Sequence, residues 1–168
     1  MGIFTSESFN SLEDLFVFEL KDLYDAEKRI IEALPKMAKK AHNPRLEQAF
    51  QHHLDQTEKH VERLESIFEH RGIEAERQTC DAMVGLLKEG STILDAEGAP
   101  DVLDAALIAA AQRVEHYEMS GYGTARAFAQ QLGDNYAAEL LEQTLDEEKE
   151  TDQHLTEIAE GAVNPASA

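Results

Sequence analysis

The feature that most constrains this chain is a period. Leu12, Leu15, Phe16, Leu20, Leu23, Ile30, Ile31 and Leu34 recur at three- and four-residue steps. That spacing lays them along one stripe of an α-helix and excludes the two-residue alternation of a half-buried strand. The same step returns in Leu46, Phe50, Leu54, Leu64, Ile67 and Phe68, and again in Leu140, Leu141, Leu145, Leu155 and Ile158. A shorter run passes through Met83, Val84, Leu86, Leu87, Ile93 and Leu94. The remaining long run centres on Ala105 to Ala111, where small residues let a neighbouring helix approach closely. No strand signal of useful length is present, so the expected class is all-α.

Capping residues divide the runs. The first helix is expected from about Ser11 to Ala41, with Pro35 kinking it or marking its last turns. Asn43-Pro44 supplies an N-cap followed by proline at the first helical position, and Gly72 ends the second helix. The short helix spans about Cys80 to Glu97 and is broken by Gly98-Ala99-Pro100. The fourth runs from near Asp101 to about Leu132, before Gly133; the fifth is capped by Asp134 or Asn135 and ends near Gly161. At 168 residues the chain is expected to form a single domain, 1–168, with its core at about 8–161 and a frayed, flexible tail from Val163. Four long helices joined in two antiparallel hairpins, with the short helix in the crossover, make a four-helix bundle the expected architecture.

Charge narrows the partners. Fifteen basic against 34 acidic side chains give a net charge of −19, which repels DNA and anionic membranes and favours cations. Neither nucleic acid nor membrane is expected as a partner. Cys80 is the lone cysteine, so there is no internal disulfide and no Cys-based zinc or iron–sulfur site, and a reducing compartment is expected. The start, Met1-Gly2-Ile3-Phe4-Thr5-Ser6-Glu7, lacks the basic start and apolar run of a signal peptide. A cytoplasmic protein is expected.

The informative residues are polar ones on apolar stripes. Glu27 falls between Leu23 and Ile30; His53, Thr57 and His60 fall between Phe50 and Leu64, with Gln56 beside them. Glu115 and Glu118 interrupt the fourth helix, and Glu148 and Asp152 the fifth. Each interruption lies near mid-helix, so all should meet at one level. Five inward carboxylates, Glu27, Glu115, Glu118, Glu148 and Asp152, must protonate, pair or bind a cation, because each isolated ion costs several kcal/mol to bury. One or two divalent metals would neutralise them, and carboxylates with a few imidazoles suit iron or manganese better than zinc. The candidate ligands are therefore Glu27, His53, Gln56, His60, Glu115, Glu118, Glu148 and Asp152. Glu27 to Thr57 and Glu118 to Glu148 are both 30 positions (57 − 27 and 148 − 118), as expected of two related hairpins. His53 and His60 lie seven residues apart, roughly 10 Å along the axis, too far to share an ion.

The segments Leu23-Tyr24-Asp25-Ala26-Glu27-Lys28, His53-Leu54-Asp55-Gln56-Thr57, Asp104 to Gln112, Val114-Glu115-His116-Tyr117-Glu118, Tyr122-Gly123-Thr124 and Glu147 to Asp152 together resemble the YciF/YciE-type ferritin-like stress proteins, over nearly the whole chain. The resemblance implies a five-helix, ferritin-like fold similar to rubrerythrin-type di-iron bundles, in a homodimer. Glu115-x-x-Glu118 matches the paired carboxylates of that group. Glu-x-x-His, its usual signature, does not occur; the corresponding positions read Thr57-x-x-His60 and Glu148-x-x-Thr151. Two functions follow as expectations. One is a di-iron or di-manganese protein handling oxygen, peroxide or iron under stress, with small oxygen species or metal ions as partners. The other is a metal-free helical homodimer serving as a stress-linked interaction module.

Overall fold

A computed structural model describes residues 8–168. The segment Met1 to Glu7, read above as lacking a leader's pattern, lies outside the described residues. The regular structure of the described residues is helical, without strands: α1 Leu12–Lys40, α2 Pro44–His70, α3 Asp81–Leu94, α4 Pro100–Gln131 and α5 Asn135–Ile158.

Local chemistry sets these limits. Ser11 Oγ accepts from the Asp14 amide at 3.1 Å while the Asp14 carboxylate accepts from the Ser11 amide at 3.0 Å, a reciprocal cap on α1. Pro35 falls within the last two turns of α1. Asn43 caps α2 with Pro44 behind it, and Asp104 of α4 accepts from the amides of His42 and Asn43 at 2.9 and 2.7 Å. Gly72 and Gly133 adopt φ of +66° and +76°, conformations that stop α2 and α4 and that L side chains rarely adopt. Cys80 caps α3, its Sγ accepting from the Met83 amide at 3.3 Å. The helix ends at Leu94, a turn short of the expected Glu97.

The tail differs from expectation. Beyond Ile158 the chain makes a π-type turn, Ala159–Val163, and a last helical turn, α6 Asn164–Ser167. Val163 is 1% exposed because this turn carries it back onto the core beside Ile158.

Two apolar layers fix how the helices run. One joins Phe16, Leu20 and Leu23 of α1, Leu64, Ile67 and Phe68 of α2, Ala125 and Ala129 of α4, and Leu141 and Leu145 of α5. The other joins Ile30 and Leu34, Leu46 and Phe50, Leu107, Ile108 and Ala111, Leu155 and Ile158. The start of α1 therefore shares an end with the finish of α2, the finish of α4 and the start of α5. So α1 opposes α2, and α4 opposes α5. Residues 71–99 return the chain from one end to the other and lay α3 against α1 and α4, with Met83 in the second layer. The small residues of the alanine run are divided: Ala110 and Ala111 are buried and Ala109 is exposed. Each fully buried Leu or Phe contributes about 1.5–3 kcal/mol. That gain offsets the cost of the layer between the two clusters, which is polar.

One glycine tightens that layer. A Cβ at Gly121 would lie 2.8 Å from Leu23 Cδ2, so the missing side chain brings α4 close to α1 next to Tyr122.

Candidate metal centre

The polar layer is built from one side of each long helix. α1 contributes Glu27, α2 contributes His53 and His60, α4 contributes Glu115 and Glu118, and α5 contributes Glu148. None is more than 2% exposed. The side chains form two groups. His53, Glu115, Glu118 and Glu148 each bring one ligand atom within 4.8 Å of the others, as do Glu27, His60 and Glu148. Glu148 belongs to both. His53 Nε2 lies 3.4 Å from Glu115 Oε1 and 3.7 Å from Glu148 Oε2. His60 Nδ1 lies 3.0 Å from Glu148 Oε1 and 3.3 Å from Glu27 Oε1. The two rings, far apart along the backbone, converge to 6.3 Å between centroids, one in each group.

The layer fits a cation better than it fits itself. Among the described residues, ten buried side-chain nitrogen or oxygen atoms lack a hydrogen-bond partner, two of them on Arg71 and Arg126. The other eight all belong to these six residues: one each on Glu27, His53, His60 and Glu115, two on Glu118, two on Glu148. Buried polar atoms are ordinarily satisfied, so eight orphans in one layer require an explanation. Four carboxylates carry −4 when ionised, the charge that two divalent cations balance with both imidazoles neutral. Oxygen donors with one nitrogen per position suit iron or manganese.

Without a cation, protons must do the same work. Burial pushes Glu115 and Glu118 well above the usual carboxylate range, and the neighbouring carboxylates push further in the same direction. Burial alone would also raise Glu148, but the imidazoles of His53 and His60 outweigh it and hold it low. For His60, burial acts to lower the ring's affinity for a proton, yet Glu27, Glu147 and Glu148 overcome it and raise its pKa to about 12. His53, whose burial dominates, shifts down.

The surrounding side chains orient the six. The Tyr122 hydroxyl donates to Glu27 Oε1 in a short contact, and its ring lies 6.2 Å from His60. Thr57, the repeat counterpart of Glu27, spends its hydroxyl on the His53 carbonyl at 2.8 Å. Glu147 reaches His60 Nε2 at 2.8 Å and Arg63 grips both its oxygens. The Thr151 hydroxyl faces His53 Nδ1 at 3.3 Å. The sequence marked Thr151 only as the residue standing where a histidine would complete Glu-x-x-His, and gave Glu147 and Arg63 no role at the site. Two expected ligands lie apart from the groups. Asp152 is 22% exposed and pairs with His116 and Gln112. Gln56 lines a surface groove of about 290 Å³ with Thr151, His52 and His154. His52 and His116 face outward. Tyr24 donates to Glu65, and Tyr117 to Asp22, away from the layer.

Residues 11–168 match the family described as Domain of unknown function (DUF892). The chain belongs to this family. The chain is similar to Protein YciF of Escherichia coli (strain K12), 44% identical over 158 residues, 94% of this chain and 95% of that protein. The crystal structure of the E. coli stress protein YciF superposes with a TM-score of 0.89, covering 93% of this chain and 99% of that one. YcfI of Rhodopseudomonas palustris is 40% identical with a TM-score of 0.87, covering 91% of this chain and 98% of that one. This DUF892 member is thus all-helical and a homologue of a stress protein. No helix of the described residues is long and apolar enough to cross a membrane.

Proposed function

We propose that this chain is a ferritin-like four-helix bundle holding two divalent ions, iron or manganese, in its polar layer, and that it handles oxygen, peroxide or iron during stress. The observation that carries the reading is the set of eight unpartnered atoms confined to Glu27, His53, His60, Glu115, Glu118 and Glu148. Glu148, common to both groups, would serve both ions. Glu27 with His60, and Glu115 and Glu118 with His53, would complete the two positions. Bound iron or manganese would supply Lewis-acid and redox chemistry toward small oxygen species.

The protein's own part is positional. The two apolar layers exclude water from above and below, which strengthens each electrostatic contact inside. Tyr122 holds one oxygen of Glu27 and leaves Oε2 without a partner. Gln56 and Asp152 are not required by this reading. The homodimer implied by the resemblance and the cytoplasmic setting expected from the lone cysteine and the N-terminal sequence belong to it as well, and sedimentation of the purified protein measures the first.

A metal-free reading has one observation in its favour. A protonated His60 beside Glu27, Glu147 and Glu148 offsets part of the buried charge. Elemental analysis of protein from iron- or manganese-supplemented cultures separates the two. About two equivalents of Fe or Mn per chain, lost in Glu148→Ala and Glu27→Ala, supports the di-metal reading. Wild type that stays metal-free while both variants gain stability would replace it with the interaction module.

A further inference from the structure

The two halves of the polar layer are supported by different chemistry, and the difference lies in which ring nitrogen each histidine turns inward. His60 directs Nδ1 at Glu27 and Glu148 and turns Nε2 away, 2.8 Å from Glu147 Oε2. His53 does the reverse: Nε2 faces Glu115 and Glu148, and Nδ1 faces the Thr151 hydroxyl at 3.3 Å.

The two outer partners differ in charge and in firmness. Glu147 is clamped by Arg63, whose Nη1 donates to Oε2 at 2.6 Å and Nη2 to Oε1 at 2.8 Å, while Nη1 also reaches the Thr144 hydroxyl at 3.1 Å. Thr144 is itself buried. A two-pronged guanidinium–carboxylate pair is among the strongest and most directional contacts available to a side chain. The Glu147 carboxylate is therefore fixed, and so is the ring behind it. Thr151 offers a neutral oxygen instead, its hydrogen directed at Gln56 Oε1 3.5 Å away. A histidine ligand ordinarily donates its second ring N–H to such a partner, which fixes the tautomer and aims the free nitrogen at the ion.

We propose that Glu147, braced by Arg63, is the positioning residue of the His60 half, fixing ligation through Nδ1, while Thr151 does the same through Nε2 in the His53 half, so that the two ion positions are inequivalent and separately adjustable. Glu147 touches no ion in this arrangement, because both of its oxygens are committed to His60 and Arg63. The inference rests on the di-metal reading above and adds to it a difference between the two positions.

The test is titration of the full chain with Mn(II), followed by calorimetry, for wild type, Glu147→Gln and Thr151→Val. The wild type should take up two equivalents. Glu147→Gln should keep one position near its wild-type affinity and weaken the other by about 10–100-fold. Thr151→Val should weaken one position only. Glu147→Gln with both affinities unchanged, or both lost in a variant whose metal-free melting curve is intact, overturns the proposal. Wild type that takes up no Mn(II) overturns the di-metal reading itself, and this inference with it. A second measurement needs no variant. In wild type loaded with Zn(II) and labelled with ¹⁵N-histidine, long-range ¹H–¹⁵N spectra should show one buried ring keeping its proton on Nε2 and the other on Nδ1. The same nitrogen protonated in both rings overturns the proposal whatever the variants do.

Discussion

Glu118 offers a direct separation of stability from function. Both of its oxygens are buried without a partner, and it faces Glu27, Glu148 and Glu115 across the layer. Its pKa is raised by burial first and by those carboxylates second, so in metal-free protein it must either hold a proton against its solution preference or add a charge to a crowded layer. Both cost free energy. Glu118→Met keeps most of the side-chain volume, removes the carboxylate, and continues the apolar surface of the flanking layers. Replacing buried charge with matched apolar volume stabilises by about 1–4 kcal/mol in comparable cores. For a domain of this size each kcal/mol moves Tm by about 2–4 °C. In EDTA, calorimetry should therefore show the variant melting about 2–16 °C above wild type. Saturating Mn(II) should reverse the order. Wild type gains about 2.7 kcal/mol at a hundredfold excess over Kd, and more if both positions fill, whereas the variant has lost a ligand. A variant that melts below wild type in EDTA would refute the reasoning, because Glu118 would then be a satisfied structural carboxylate.

Three further outcomes follow from the packing. Asp25, 2% exposed, accepts from Arg29 at 2.5 Å, Arg77 at 2.8 Å and the Cys80 amide at 2.9 Å; although its burial works the other way, these donors hold its pKa below the usual value. A folded-state value below the unfolded one gives stability that is present above the unfolded pKa and lost as pH falls through the folded one. Asp25→Asn should cost about 1–3 kcal/mol near neutrality, and denaturant titrations should show that gap closing in acid below about pH 4. At Gly123 a Cβ would meet nothing within 4 Å beyond its own stretch of helix, so Gly123→Ala should stabilise by about 0.5–1 kcal/mol, while Gly121→Ala, whose Cβ meets Leu23 at 2.8 Å, should melt below it. Val163→Ala should cost about 1.5–3 kcal/mol in urea unfolding, where a frayed tail would leave stability unchanged.

Much of the layer was legible from phase alone. Glu27, His53, His60, Glu115, Glu118 and Glu148 stand where aliphatic residues belong, and the structure brings all six together. Asp152 and Gln56 show the limit of that argument. Four residues past Glu148, Asp152 is rotated by about 40°, enough to carry it off the seam to Gln112. Gln56 is rotated by a similar angle from the His60 direction and opens toward the surface groove. Glu147 was illegible for the opposite reason. One position from Glu148, it sits about 100° round the helix, which reads as a solvated acidic run; its long side chain curls back to His60, and only the neighbouring helix reveals the target. The tail was missed because the π-type turn shifts the helical phase, so Val163 falls off the stripe extrapolated from Leu155 and Ile158 yet lands on the core.

The central claim is that this acidic layer exists to be neutralised by a pair of divalent ions. Anomalous diffraction from crystals grown with Mn(II) tests it most directly. The account predicts two peaks about 3.5–4 Å apart, with Glu148 between them and one histidine beside each. Density free of anomalous signal in that layer, with Mn(II) confined to the acidic surface, would contradict it.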